Sequence, residues 1–114
     1  MSERIKPIIL SYKDGREYTL EFSRESLIYA DSRGFKITEL ADKPMLRIPE
    51  LFHYAFRMHH PQLSKAQTDK ILFEDLGGLS EAMCERLGEL YAAPLETLMT
   101  EETDPKNSEM AVQM

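Results

Sequence analysis

Residues 5–22, IKPIILSYKDGREYTLEF, carry the strongest signal for secondary structure in the chain. Two short runs rich in β-branched and aromatic residues flank Asp14 and Gly15. An Asp-Gly pair between two such runs is typical of a β-hairpin, because both turn residues tolerate a positive φ. With these two as the turn residues, Ile9 is predicted to face Leu20. A two-stranded ribbon is marginal in water, so helices or another copy of the ribbon must cover it.

The first strand of this hairpin is apolar on both faces. In the predicted register, Ile8, Leu10 and Tyr12 lie on the side opposite Leu20, and residues of the second strand that pair with them are polar. An outward apolar patch on an open sheet edge favours the addition of a strand from another copy or a partner. Ile8, Leu10 and Tyr12 are therefore predicted to mediate self-association or partner binding.

The chain after Phe22 carries helical signals. Ser23 is a good N-cap, and Gly34 supplies a left-handed stop for the first helix. A brief helical turn is predicted near Ile37. The next helix is the most apolar and should be central; it is predicted to run to His59, because Pro61 cannot continue it. Its apolar side chains form one broad stripe: Ile48, Leu51, Phe52, Ala55, Phe56 and Met58.

Two acidic helices follow the central helix. Ser64 and Gln67 form a capping box that starts the first of them, and the Gly77-Gly78 pair ends it. Ser80 caps the second, which Pro94 should break or kink. The predicted fold is α+β, mainly α, with an N-terminal β-hairpin (5–22) packed on a bundle of four to five short helices (23–99). Residues 1–100 form a single domain, and residues 101–114, which lose the apolar period, a flexible C-terminal tail.

Composition indicates an ordinary soluble domain. Of the 114 residues, 42% are hydrophobic and 30% charged, which suits one globular core. A formal net charge of −6 argues against capture of nucleic acid through its phosphates. The single cysteine forms no internal disulfide, and the apolar run Ile8–Leu10 is too short for a signal peptide or a membrane span. We expect an intracellular protein with neither nucleic acid nor membrane as a partner, and no leader segment to be removed.

Acidity is concentrated in the second half of the chain. Residues 65–104 carry ten acidic and three basic groups. A solvated face is the simpler interpretation, and a docking surface for a basic protein is the alternative. Four methionines lie within predicted helices, where they can fill a core or form an adaptable binding groove; core filling is favoured. These residues are Met45, Met58, Met83 and Met99.

Residues that could carry chemistry are few. Glu50 and His53 have the Glu-x-x-His spacing of a di-iron ligand pair, but a second copy of this pattern is missing. The adjacent His59 and His60 point about 100° apart on a helix, which suits capping of a helix C-terminus better than one metal ion. Cys84 has no base beside it to lower its pKa. We therefore predict no catalytic residues, no cofactor and no metal, so the protein should not be an enzyme.

The order of elements resembles the small tail assembly chaperones of long-tailed bacteriophages and gene transfer agents. The resemblance spans residues 16–99. It rests on the strand Tyr18–Phe22, the helix that ends at Gly34, and the aromatic helix followed by the His-Pro-x-Leu-Ser step at residues 60–64, with two acidic helices after it.

The resemblance implies a non-enzymatic protein of the host bacterial cytoplasm. Such a chaperone binds and solubilises the tape-measure protein, recruits tail-tube subunits and is absent from the mature virion; a homo-oligomer is expected. Two alternatives stay open: another small phage structural protein, for head-tail joining or tail completion, or a regulatory protein-binding module. A metal-dependent enzyme built on Glu50, His53 and His59 is the least favoured.

Overall fold

A computed structural model describes residues 6–98, with side chains through residue 96. The α+β, mainly α architecture is confirmed: an N-terminal hairpin packs on four helices. The predicted tail, residues 101–114, lies outside the described part, as does Met99. The elements, in chain order, are β1 (Ile8–Ser11), β2 (Glu17–Leu20), α1 (Arg24–Ser32), a 3₁₀ turn (Ile37–Glu39), α2 (Pro44–Ala55), α3 (Lys65–Lys70) with a π-helical continuation (Ile71–Asp75), and α4 (Glu81–Leu98).

The hairpin forms where it is predicted, but its register differs by one residue. Ile9 pairs with Thr19 rather than with Leu20. The Tyr12 N–H donates to the Arg16 carbonyl at 2.8 Å, which leaves three loop residues between them instead of two. Of the loop residues only Gly15 has a positive φ, +97°. This is a type I turn followed by a left-handed glycine, which serves a three-residue hairpin loop.

The shift of one residue exchanges the two faces of β1. Ile8 is only 8% exposed and belongs to the core, and Leu10 packs against that core. Tyr12 is partly buried on the same inner face. The prediction that Ile8, Leu10 and Tyr12 form an outward apolar patch is therefore wrong. Ile9, 54% exposed, occupies the outward position instead.

Helix α1 has both predicted ends. The Ser23 hydroxyl accepts a hydrogen bond from the Ser26 N–H, and the Ser26 hydroxyl accepts one from the Ser23 N–H, which closes a capping box. At the other end, the Phe35 N–H donates to the Ala30 carbonyl across Gly34, whose φ is +90°. This bond is the signature of a Schellman motif, which turns the chain sharply at a glycine.

Helix α2 is central, as predicted, but shorter. It contacts α1, α3, α4 and the 3₁₀ turn. It ends at Ala55, four residues before His59, and the chain then makes turns in which the His60 N–H donates to the Phe56 carbonyl at 2.7 Å. Met58, expected on its apolar stripe, is 40% exposed.

The last two helices confirm the predicted start signals. Ser64 and Gln67 form the capping box of α3, and the Ser80 hydroxyl accepts the Met83 N–H at the start of α4. Of the break or kink predicted at Pro94, the break is wrong, because α4 runs through Pro94 to Leu98. Inside a helix a proline removes one hydrogen bond and its ring crowds the carbonyl four residues earlier, which bends a helix that continues past it.

The core lies where the inner face of the hairpin meets α2, α1 and α4. Its rings pack edge to face, with Phe52 and Phe56 centroids 5.0 Å apart and Phe22 and Tyr91 centroids 5.2 Å apart. None of the helices in the described range is long and apolar enough to cross a membrane. The buried apolar residues are Ile8, Leu20, Phe22, Leu27, Ala30, Phe35, Leu51, Phe52, Tyr54, Ala55, Phe56, Ile71, Leu72, Leu87, Leu90 and Tyr91.

Candidate functional site

His59 and His60 close the outer edge of β2. The Thr19 N–H donates to His60 Nε2 at 2.9 Å, and the Glu21 N–H donates to the Ala55 carbonyl at 2.9 Å. The Glu21 carboxylate also lies 2.9 Å from His59 Nε2. The prediction that the two histidines cap a helix C-terminus is therefore wrong: α2 ends earlier, and the turns after it carry both rings to the sheet. This edge of the hairpin is occupied and cannot accept another strand.

The residues of the Glu-x-x-His pattern are held by separate partners. Glu50 accepts a hydrogen bond from Arg47 at 2.6 Å. His53 Nδ1 lies 2.9 Å from the Thr68 hydroxyl, and burial lowers the pKa of His53. Within residues 6–98, no three histidine, cysteine or acidic side chains are grouped so that they could hold a metal ion.

Tyr12 ties the hairpin to the π-helical segment. Its hydroxyl donates a hydrogen bond to the Asp75 carboxylate. Burial, reinforced by that bond to an anion, raises the pKa of Tyr12 to about 12. The role of Tyr12 in this structure is therefore to fasten β1 to the helices, and partner binding by its side chain would break that link.

An apolar groove lies between the start of α2, the π-helical segment and the start of α4. It encloses about 170 Å³, less than the roughly 300 Å³ at which small-molecule pockets begin. Its size therefore suits a few side chains of another polypeptide better than a metabolite. Two exposed apolar side chains rim it, Met45 at 83% and Phe73 at 54%. The lining residues are Pro44, Met45, Ile48, Pro49, Leu72, Phe73, Gly78, Leu79 and Cys84.

Cys84 belongs to this groove. Burial, and to a lesser extent the Glu81 carboxylate, raises the pKa of its thiol. A thiol with a raised pKa stays protonated near neutral pH, where it behaves as a small apolar group.

An acidic stripe runs along the solvent side of α4, and its first member, Glu81, lies close enough to Cys84 of the groove to act on that thiol. Glu81, Glu85 and Glu89 follow each other at a spacing of four residues and are all exposed. Since residues four apart lie on one helix face, their charges form a continuous line that starts near Cys84 and continues along the exposed side of α4. None of the three pairs with a cation in the described part of the chain.

A wider depression of about 620 Å³ over α1 is a weaker candidate. Its serine hydroxyls already have partners: the Ser23 and Ser26 hydroxyls cap α1, and the Ser32 hydroxyl donates to the Tyr29 carbonyl. The Arg57 guanidinium stacks on the Tyr29 ring at 3.6 Å. With its serine hydroxyls in use, this surface is a weaker candidate than the apolar groove.

Sequence reasoning missed the groove. Met45 was expected to fill the core, and this is wrong, since most of its side chain is in solvent. Phe73 was not singled out at all. The sequence holds a signal for Phe73, because it follows Ile71 and Leu72 without a polar residue between them. The direction of the Phe73 side chain depends on the π-helical segment, which the sequence pattern did not predict.

Comparison with known proteins places the chain in one family. No curated protein and no solved structure matches it. The whole chain, residues 1–114, matches a family described as a domain of unknown function, DUF5055. This protein therefore belongs to the DUF5055 family.

Proposed function

We propose that this protein is a non-enzymatic tail assembly chaperone of a long-tailed bacteriophage or a related gene transfer agent. It binds and solubilises the tape-measure protein in the host bacterial cytoplasm, recruits tail-tube subunits and leaves before the virion is complete. The observation that carries this proposal is the apolar groove rimmed by Met45 and Phe73 beside the acidic stripe of α4.

The groove has the chemistry needed to hold a helix of another protein. An amphipathic helix binds by laying its apolar face into an apolar groove, with anchors at spacings of three and four residues. A tape-measure protein is a long helical chain that exposes such faces until it is enclosed by the tail tube. The Met45 side chain is flexible and polarizable, so it adapts to many successive apolar segments of one client.

The acidic stripe complements this role in two ways. Glu81, Glu85 and Glu89 attract basic residues that flank the apolar stripe of a client helix. The net charge of −6 also makes coated clients repel each other, which keeps them soluble.

Substitution within the groove tests the proposal. The protein is co-expressed with a fragment of the tape-measure protein encoded in the same gene cluster, and the affinity of the purified proteins is measured by calorimetry. Phe73→Asp should weaken binding at least about tenfold, because it places a charge where an apolar anchor sits. Ile28→Asp on α1 is the matched control: Ile28 is also exposed, at 64%, but lies away from the groove, so its affinity should stay within about twofold.

Two outcomes would contradict this function. Equal affinities for Phe73→Asp and the unchanged protein would remove the groove from client binding. Stoichiometric amounts of the protein in purified virions, measured by mass spectrometry, would favour a head-tail joining or tail completion role instead.

A further inference from the structure

We propose that two copies of this protein pair through the free edges of their β1 strands, antiparallel, to form one continuous four-stranded sheet. The inference concerns a surface separate from the groove, and it holds whatever client the groove binds. Within residues 6–98, the hairpin has one closed edge, at β2, and one open edge, at β1.

The hydrogen-bond pattern of the hairpin defines the open edge. Antiparallel pairs alternate between residues that bond across the pair and residues that bond outward. The bond from Tyr12 to Arg16 shows that the backbone groups of Tyr12 point toward β2. Leu10 is two residues earlier, so its backbone groups point the same way and also bond to β2. The N–H and C=O groups of Ile9 and Ser11 therefore point away from β2, and no other residue in the 6–98 range bonds to them.

Two clefts separate this edge from the helices, and Arg86 of α4 donates a hydrogen bond to the Lys6 carbonyl just before the strand, at 2.8 Å. One cleft lies between β1 and the end of the π-helical segment, against Ile71, Asp75 and Leu76. A second cleft, against Ala82, Met83 and Arg86 of α4, lies at the beginning of the strand. Natural proteins commonly guard an edge with a lysine, a bulge or a covering element. β1, with the sequence IILS, has no charge along it.

A second copy of β1 satisfies this edge in one register. When the strands pair antiparallel about Leu10, Ile9 of each copy faces Ser11 of the other. Facing residues of this kind exchange two hydrogen bonds, so the two symmetric pairs use all four outward groups of each strand. A register centred on Ile9 instead faces Ser11 with Pro7, which has no N–H to give.

Side chains agree with the same register. On the inner face, Leu10 meets its own copy and Ile8 meets Tyr12, so apolar side chains continue across the junction. Beyond the strand, Lys6 of one copy approaches the loop of the other, where Asp14 is already paired with Arg16 at 2.9 Å. Within the paired strands no charged residues face each other and apolar side chains meet on the inner face, which argues for a second copy of this chain as the occupant.

A proline at the outward position tests the main-chain pairing. Ile9→Pro removes an N–H that makes no bond within the hairpin, so the monomer should keep its far-UV circular dichroism and melting behaviour. Light scattering of the unchanged protein should approach twice the 13.2 kDa chain mass as concentration rises, and Ile9→Pro should stay at 13.2 kDa. Ile9→Thr, which keeps the N–H and the β-branch, should still pair. Equal masses for Ile9→Pro and the unchanged protein, or a monomer at all concentrations, would overturn the proposal.

Cysteine cross-linking tests the register independently. In a Cys84→Ser background, Leu10→Cys should form a dimer under mild oxidation, because residues that face themselves across the pair lie within disulfide reach. Ile9→Cys should cross-link at least about fivefold less, since Ile9 faces Ser11 and not its own copy. The reverse preference, or no cross-link at either position, would refute the register. Phe73→Asp should leave both results unchanged, so failure of this proposal is distinguishable from failure of the client-binding function.

Discussion

At the scale of single residues, His60 links the turns after α2 to the sheet through an unprotonated ring nitrogen. Because its Nε2 accepts the Thr19 N–H, the bond exists only while the ring is neutral. Burial, together with the neighbouring His59, lowers the pKa of His60 below its ordinary 6.5. Burial, together with Lys65, does the same to the pKa of His53. Below pH 6.5 the unfolded chain then binds more protons at these sites than the folded one.

This linkage predicts loss of stability in mild acid. The contribution of a histidine with a lowered pKa is complete above 6.5 and is lost as pH falls through the folded-state value. The free energy of unfolding, measured with urea, should therefore fall between pH 7 and about pH 5. His60→Gln should flatten the dependence, since the glutamine carbonyl can accept the Thr19 N–H at every pH.

Two comparisons make the assignment to His60 specific. His53→Gln removes only the contribution of His53 to the pH dependence of the free energy of unfolding, and the contribution of His60 should remain. If His60→Gln had the same pH slope as the unchanged protein, the bond to Thr19 would not be the acid-sensitive link.

At the scale of elements, the sequence predicts starts and stops better than it predicts register. Ser23, Ser64 and Gly34 have local chemistry that acts on the backbone within a few residues, so these ends are predicted correctly. The hairpin register depends on whether Asp14-Gly15 forms a two-residue turn or the end of a three-residue loop, and both suit this dipeptide. Burial of Ile8 and Leu10 against the helices decides between them, and that information is not local.

The observed loop predicts which substitutions the hairpin tolerates. Gly15 is the one residue of the hairpin loop with a positive φ, so Gly15→Ala should lower the free energy of unfolding by about 1–2 kcal/mol. Gly15→Asn should cost less, because asparagine enters the left-handed region more readily. Lys13→Ala at a neighbouring exposed loop position is the control and should stay within about 0.5 kcal/mol. An equal effect of Gly15→Ala and Lys13→Ala in thermal or urea unfolding would argue against this turn.

At the scale of the whole molecule, the groove is the feature that sequence reasoning could not assemble. Its walls come from α2, the π-helical segment and α4, and each wall taken alone resembles part of a core helix. A methionine such as Met45 has the same composition signal in a core and in a groove. The acidity of residues 65–104 was visible in the sequence, but how α4 packs decides that its glutamates face the solvent and that Glu81 lies next to Cys84 of the groove.

Because an acidic stripe lies on α4, one wall of the groove, we expect client binding to weaken as salt is added. The glutamates of the stripe should determine how strongly binding depends on salt. Glu85→Lys with Glu89→Lys should weaken binding to a basic amphipathic helix and reduce its sensitivity to ionic strength between about 0.05 and 0.5 M, because the attraction acts over a Debye length of roughly 10 Å. Glu17→Lys with Glu25→Lys is the matched control: it changes the net charge by the same amount, at exposed positions on β2 and α1. Binding is measured by fluorescence anisotropy. Equal weakening in both pairs of variants would assign the effect to total charge and would contradict a role for the stripe. Weakening only in the α4 pair supports recognition of the client at this face.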